Sequence, residues 1–381
     1  MNRPVQDFRP RGRILVQPSW LTAWVTLIAV LFLVPTLFLA LNQRAHRQWE
    51  SLAWAATLDP DSPDPGMPPA EDVPTDHAFP VTIGFYLETM EGVSLQESVW
   101  KCVMDVWCRW KDDPTMPMGA DFDPFDHLIA INGQITDRKI LRTVHEGGEH
   151  FVLQRLSLEF VRTFRIVNFP LDRHLLLACF ENSAHPRQEL LFVADEENSV
   201  VSARVSMPGY RIDRCHAFET PHSYRNSRGL PGFAPSQRGA WSQPRFAIVI
   251  ERNGWGLLLK MFQALFISVA VALLACFIKP IHVDPRFGLG VGALFASVAN
   301  AYVVGTFVPE GGEFSLADAI NLLGIATILV SLTQSTISLW IYETLDEQQF
   351  SRHFDRVSFW TILTVFLISL AIGLAGAMGG Y

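Results

Sequence analysis

The sequence predicts an all-β extracytoplasmic sandwich followed by a four-helix transmembrane bundle, with an additional transmembrane helix at the N-terminus. Three observations lead there. Apolar residues make up 49% of the 381-residue chain and mean hydropathy is +0.20. This is more apolar than an ordinary soluble protein and more polar than an all-membrane one. Five apolar runs are long enough to cross a bilayer core, which takes about 20 helical residues: Trp20–Leu41, Leu257–Ile278, Phe287–Val308, Leu316–Tyr342 and Phe359–Met378. Between the first and second runs lies a polar block that reads as about nine short strands with no long helix, the pattern of a β-sandwich.

Residues 1–19 form a basic leader with Arg3, Arg9, Arg11 and Arg13. Residues 20–41 are an anchor or a signal. The run is long and no small-x-small pair follows it, which favours a retained anchor. Residues 42–78, including "DPDSPDPGMPPAEDVP", read as a linker. Residues 79–255 hold the strand-like runs Val81–Leu87, Ser98–Trp110, His127–Ile131, Ile140–Val144, Phe151–Val167, His174–Phe180, Glu189–Val193, Tyr210–Phe218 and Arg245–Glu251. "HEGGEH" places Gly147-Gly148 between two of them, a hairpin signal because glycine accepts positive φ without penalty. Residues 256–380 hold the other four apolar runs.

Orientation follows from arginine and lysine. The leader stays in the cytoplasm, the polar block is exported, and the connections holding Lys279 with Arg286 and Arg352 with Arg356 return inside. "PEGGEF" (Pro309–Phe314) then faces out. This makes the chain a multi-pass membrane protein with an exported domain. Residues 43–255 carry 21 basic and 29 acidic residues, so the net charge of -8 resides there. An acidic exported surface speaks against nucleic acid as a partner and favours cations nearby; solubility alone is the plainer account of most of that charge. Cys102 and Cys108 lie six residues apart on one strand, about 20 Å at ~3.3 Å per residue, too far to bridge. His145 and His150 flank the glycine turn with a spacing that fits no zinc motif. No metal or cofactor is expected. No HExxH, Walker loop or GxSxG appears, so an enzyme reading has no motif behind it.

One turn is unusual. In "FRIVNFPLDRHLLL" the connection Asn168–Asp172 carries Phe169, Pro170 and Leu171, where surface turns are polar. A greasy tip is expected to be buried, at about 1.5–3 kcal/mol per side chain.

At this point the chain resembles the pentameric ligand-gated ion channels of the Cys-loop receptor superfamily, in their bacterial branch. "VTIGFYLETMEGVSLQESVWKCVMDVWCRW" is similar to the first two strands of that family, and "FPLDRHLLLACFE" to its signature loop and following strand. "RFAIVIERNGWG" is similar to the last strand entering the first bundle helix, with the usual arginine at Arg252. "DPRFGLGVGALFASVANAYVVGTFVP" and "LADAINLLGIATILVSLTQSTISL" resemble the second and third helices. The likeness covers about residues 78–380. The paired loop cysteines are absent, as is usual in bacterial members. The first bundle helix lacks its common proline, the segment Trp110–His127 lacks a tryptophan-proline pattern, and the N-terminal anchor is extra.

The resemblance implies a homopentamer in membrane lipid that conducts inorganic ions and opens to an unknown small-molecule ligand or to protons. The bacterial branch would place the chain in a cell inner membrane, with a periplasmic or extracellular domain. The base of the sandwich would face the outer helix ends, so that Phe169 and Leu171 bury there near Pro309–Phe314 and Asp172 pairs with Arg252. Phe169, Pro170, Asp172 and Arg252 would then couple the outer domain to the pore; a staple between the domain and the helices is the plainer alternative. The second bundle helix would line it through Asp284, Gly288, Gly292, Phe295, Ala299, Tyr302 and Thr306, which recur at helical spacing; packing of small residues against another helix is the plainer account of that spacing. Phe295 would be the apolar gate and Asp284 a cation-selecting ring, although Arg286 beside it also suits anion-selective members. Trp107, Phe218, Tyr224, Phe233 and Trp241 are the aromatic candidates for a ligand site, and His216 and His222 for proton sensing. The alternative is a non-conducting membrane sensor or scaffold with the same fold.

Overall fold

The computed structural model describes residues 18–60, 62, 75–112, 118, 122–224, 226, 239–308 and 313–378. The chain divides into two compact units. A helical unit comprises residues 1–45, 256–307 and 314–381, and a strand unit comprises residues 46–255 and 308–313.

The strand unit contains two sheets. The first runs β4 (Gly133–Glu146), β5 (Glu149–Val161), β2 (Val99–Lys111), β1 (Phe79–Ser94) and β7 (Leu190–Ala194), with the short β8 (Val200–Val201) also on β1. The second runs β3 (Leu128–Ala130), β6 (Arg173–Asn182), β10 (Ala240–Arg252) and β9 (Tyr210–Ser223). Every expected strand run contains a strand. The run expected to reach Val167 leaves the ladder after Val161.

The burial patterns follow from the layers. Along β2 and β5 side chains alternate between buried and partly exposed, as in a sheet with one covered face. Aromatic rings join the sheets across the core: Phe85 of β1 stacks on Phe180 of β6 and Phe246 of β10 at centroid distances of 5.4 and 5.6 Å. By contrast, β6 and β10 are buried along nearly their whole length. Their outward residues Leu175, Leu177, Cys179, Ala247 and Val249 form a second core with Phe218, and Trp54 and Leu58 pack on it.

Those last two residues belong to α1 (Pro18–Leu58), a single 41-residue helix. Residues 42–58, expected as linker, are therefore helical. At ~1.5 Å per residue the helix is about 60 Å long, twice the hydrocarbon thickness of a bilayer. Its first part belongs to the helical unit and residues 46–58 to the strand unit.

The helical unit also holds α2 (Gly254–Leu274), α3 (Val283–Gly305), α4 (Leu316–Thr344) and α5 (Gln348–Met378). All five helices are long and apolar enough to cross a membrane by length and composition. They share one core, in which Ile28 and Phe32 of α1 meet Val269, Ala293, Ile328 and Phe366 of the other four. Ser315 and Asp318 start α4 with a reciprocal cap: the Ser315 hydroxyl accepts from Asp318 N–H and the Asp318 carboxylate accepts from Ser315 N–H. α5 begins at Gln348, eleven residues before the apolar run that revealed it, so Arg352, Asp355 and Arg356 are helical rather than loop.

Candidate functional site

The turn before β6 brings four of the expected residues together. The β6–β10 ladder ends with Arg173 opposite Glu251, which sets Asp172 beside Arg252. Arg252 N–H donates to the Asp172 carbonyl at 3.0 Å. Its Nε donates to Asp172 Oδ1 at 2.7 Å and its Nη2 to Oδ2 at 3.3 Å. The Arg252 guanidinium also lies over two rings, Phe169 at 5.1 Å and Tyr210 at 4.3 Å, and donates to the Tyr210 hydroxyl. His174 Nε2 meets Asp172 Oδ2 at 2.5 Å.

Asp172 and Phe169 are each only 2% exposed. Burial by itself would raise the Asp172 carboxyl, but hydrogen bonds and charge from His174 and Arg252 overcome it and hold the group well below the usual carboxylate range. Burial pushes the Tyr210 phenol up. The greasy tip is thus explained locally. Phe169 is buried beneath the guanidinium, the Phe169–Pro170 peptide is cis, and Leu171 packs at Gly254, where a Cβ would collide with the Pro170 carbonyl and the Leu171 side chain. In the same unit, Ile166 N–H donates to Glu313 Oε2 at 3.4 Å.

Sequence reasoning missed His174 and Tyr210. The signal for His174 was present: residues two apart on a strand share a face, so His174 lies on the side of Asp172. Tyr210 pairs with Arg252 only through the β9–β10 register.

On α3 the expected residues also share one surface. Asp284, Gly288, Gly292, Phe295, Ala299, Tyr302 and Thr306 are all exposed in the single chain. Phe295 and Tyr302 are 73% and 79% exposed. The opposite face, with Arg286, Gly290, Ala293, Ser297, Asn300 and Val304, is buried. Gly290 abuts Leu332, and Asn300 Nδ2 donates to Asn321 Oδ1 of α4 at 3.3 Å. The packing glycine is therefore Gly290, whereas a Cβ added at Gly288 or Gly292 would meet nothing.

Arg286, weighed as a pore-level cation, points the other way. It is fully buried, and its Nη1 and Nη2 donate to the two oxygens of Asp355 at 3.2 and 2.7 Å. Gln334 Nε2 donates to the same carboxylate at 2.5 Å and Arg286 Nη1 to the Ile278 carbonyl at 3.1 Å. Both terminal nitrogens of the guanidinium thus have acceptors, while its buried Nε has no hydrogen-bond partner among the described residues.

Among the described residues the aromatic candidates do not form one cluster. Tyr224 and Trp241 meet edge to face at 5.2 Å, and the Tyr224 hydroxyl donates to buried Glu181. Phe218 instead lies in the core beneath α1. Trp107 packs over Gly84, and its indole N–H donates to Asp195 at 3.2 Å. Phe233 lies outside the described residues. His216 stacks on Phe218 and His222 meets Tyr224, so those two are separated as well. His145 and His150 touch through Nδ1 at 2.7 Å, and His150 Nε2 meets Asp112 at 2.8 Å. None of the five cysteines is in a disulfide, and burial pushes the Cys102 and Cys108 thiols up.

No model of a known protein family matches the chain, and no curated protein is significantly similar to it in sequence.

Proposed function

We propose that this chain is the subunit of a homopentameric, ligand-gated, cation-conducting channel, with the strand unit outside the membrane and α3 lining the pore. The observation that carries this reading is the two-faced character of α3. One side is packed on α4, while the side from Asp284 to Thr306 is exposed among the described residues. Lipid is a poor account of that side, because it carries a carboxylate near the helix start and the threonine Thr306 at its end. Five copies facing one another would give a path with carboxylates at one mouth and a ring of Phe295 about 16 Å further along, at ~1.5 Å per residue.

The burial of Arg286 supports cations over anions. Its charge is spent on Asp355, so Asp284 is left as the charged group on the open face. In this reading Asp172, Arg252, Phe169 and Pro170 couple ligand binding to opening, since Arg252 ends β10 and α2 starts at Gly254. A ligand or proton acts from the strand unit.

Native mass measurement of the purified protein tests the assembly. Five chains are expected; a stable monomer or dimer would remove the pore. A well-folded pentamer that passes no current under any ligand or pH would instead support a non-conducting sensor.

A further inference from the structure

Within the strand unit, residues 46–58 of α1 and the connection from β5 to β6 line a half-open cavity of about 160 Å³. Its walls are aromatic and basic. Trp49 and Trp54 come from the helix, and Phe164, Arg162 and Arg165 from the connection. Arg173 and His174 also line it, but each has its own carboxylate: Arg173 Nη2 donates to Asp213 Oδ2 at 3.0 Å, and His174 meets Asp172. Arg165 lies 4.2 Å over the Trp49 ring and is the strongest basic influence on Glu50, the cavity's own acid.

Arg162 differs from the rest. No carboxylate among the described residues pairs with its guanidinium, and burial draws its pKa down from the ordinary value. Arg162 is half-buried, and a cation partly withdrawn from water without a counter-charge is one that an anion from solution would stabilise. The volume limits what fits. An apolar cavity of about 150 Å³ holds one benzene, so this space takes a single ring with a small substituent and not two fused rings.

We propose that this cavity binds a small aromatic monoanion, a one-ring carboxylate, with its carboxylate on Arg162 and its ring against Trp49 and Trp54. The site is built by the helical extension of α1 and is separate from the Tyr224–Trp241 pair. Its binding does not depend on whether the protein conducts.

Calorimetric titration of the full-length protein in detergent with benzoate tests this, with benzamide as the neutral isostere and 2-naphthoate as the oversized anion. Benzoate should saturate one site per chain, and benzamide and 2-naphthoate should bind at least about tenfold more weakly. Arg162→Gln should weaken benzoate about tenfold or more, as for one lost charge-assisted hydrogen bond. Glu50→Gln should tighten it by removing a like charge, a gain that a purely structural role would not produce. Thr57→Trp fills the cavity from α1 and should abolish binding while Arg162 remains, which keeps the test valid if Arg162→Gln does not fold. Absence of saturable benzoate binding to folded protein would overturn the proposal. So would equal affinity for benzamide, or unchanged benzoate affinity in Arg162→Gln or Thr57→Trp.

Discussion

Each unit of this chain contains a buried arginine–aspartate pair, and the two are built differently. Asp172–Arg252 closes the end of a β-ladder, where strand register alone brings the residues together, and its arginine keeps a 12% exposed side chain. Tyr210, His174 and Phe169 share the work of solvating the charges. Arg286–Asp355 joins α3 to α5, with Gln334 of α4 on the same carboxylate, and its arginine is wholly buried. The first pair has several partners that can compensate for a loss. The second is a tight knot of three helices with few. A buried pair is weak evidence for net stability, but removing one member strands the other.

The largest effect is therefore expected in the helices. Arg286→Ala or Asp355→Ala leaves an unpaired charge and should cost ~3–5 kcal/mol, enough to reduce folded yield and lower the melting temperature of the detergent-purified protein. Replacing both by Met and Leu should recover most of the loss. Single variants that melt like the wild type would mean that the knot does not form.

In the strand unit the corresponding losses should be smaller. Asp172→Ala and Arg252→Ala should each destabilise by ~2–4 kcal/mol, and the double variant by clearly less than the sum, with a coupling of ~1–3 kcal/mol. Strict additivity would show that the residues act apart. This pair also has an acid signature. A carboxylate held below its ordinary pKa adds stability that is complete above about 3.9 and fades only as pH falls through the lower folded value. The stability gap between wild type and Asp172→Asn should thus persist from neutral pH to about pH 4 and close in stronger acid. A gap that closes between pH 7 and 5 would contradict the depressed carboxyl.

The open face of α3 should give the smallest change in stability. Phe295 is exposed in the chain, so Phe295→Ala should shift stability by no more than about 0.5 kcal/mol. It should nevertheless raise ligand-free current by hydrating the constriction. A large loss of stability without added current would mark Phe295 as packing.

Much of this was readable in the sequence, and the failures have physical causes. Strand positions follow from β-branched and aromatic runs between turns, whereas the Asp172–Arg252 pairing was legible only through the family resemblance. The helical extension was missed because "QRAHRQWESLAWAATL" was averaged with the proline-rich stretch after it. Taken alone it is rich in helix formers. A second signal pointed the same way. "HLLLACF" and "RFAIVI" lack the alternation of a half-exposed strand and therefore required a cover on both faces; residues 46–58 are part of that cover. The Arg286–Asp355 pair is hidden because Asp355 lies outside the apolar run that marks α5, in the helix's polar start. The cavity near Arg162 joins segments more than about 100 residues apart, which local pattern cannot reveal.

The most direct test of the central claim, that the open face of α3 lines a cation path, is the reversal potential in a planar bilayer across a potassium chloride gradient. Wild-type protein is expected to reverse near the potassium potential, and Asp284→Ala to move toward zero with opening largely intact. An identical reversal potential in the two proteins would show that ions pass elsewhere, and a folded pentamer without current would show that they do not pass at all.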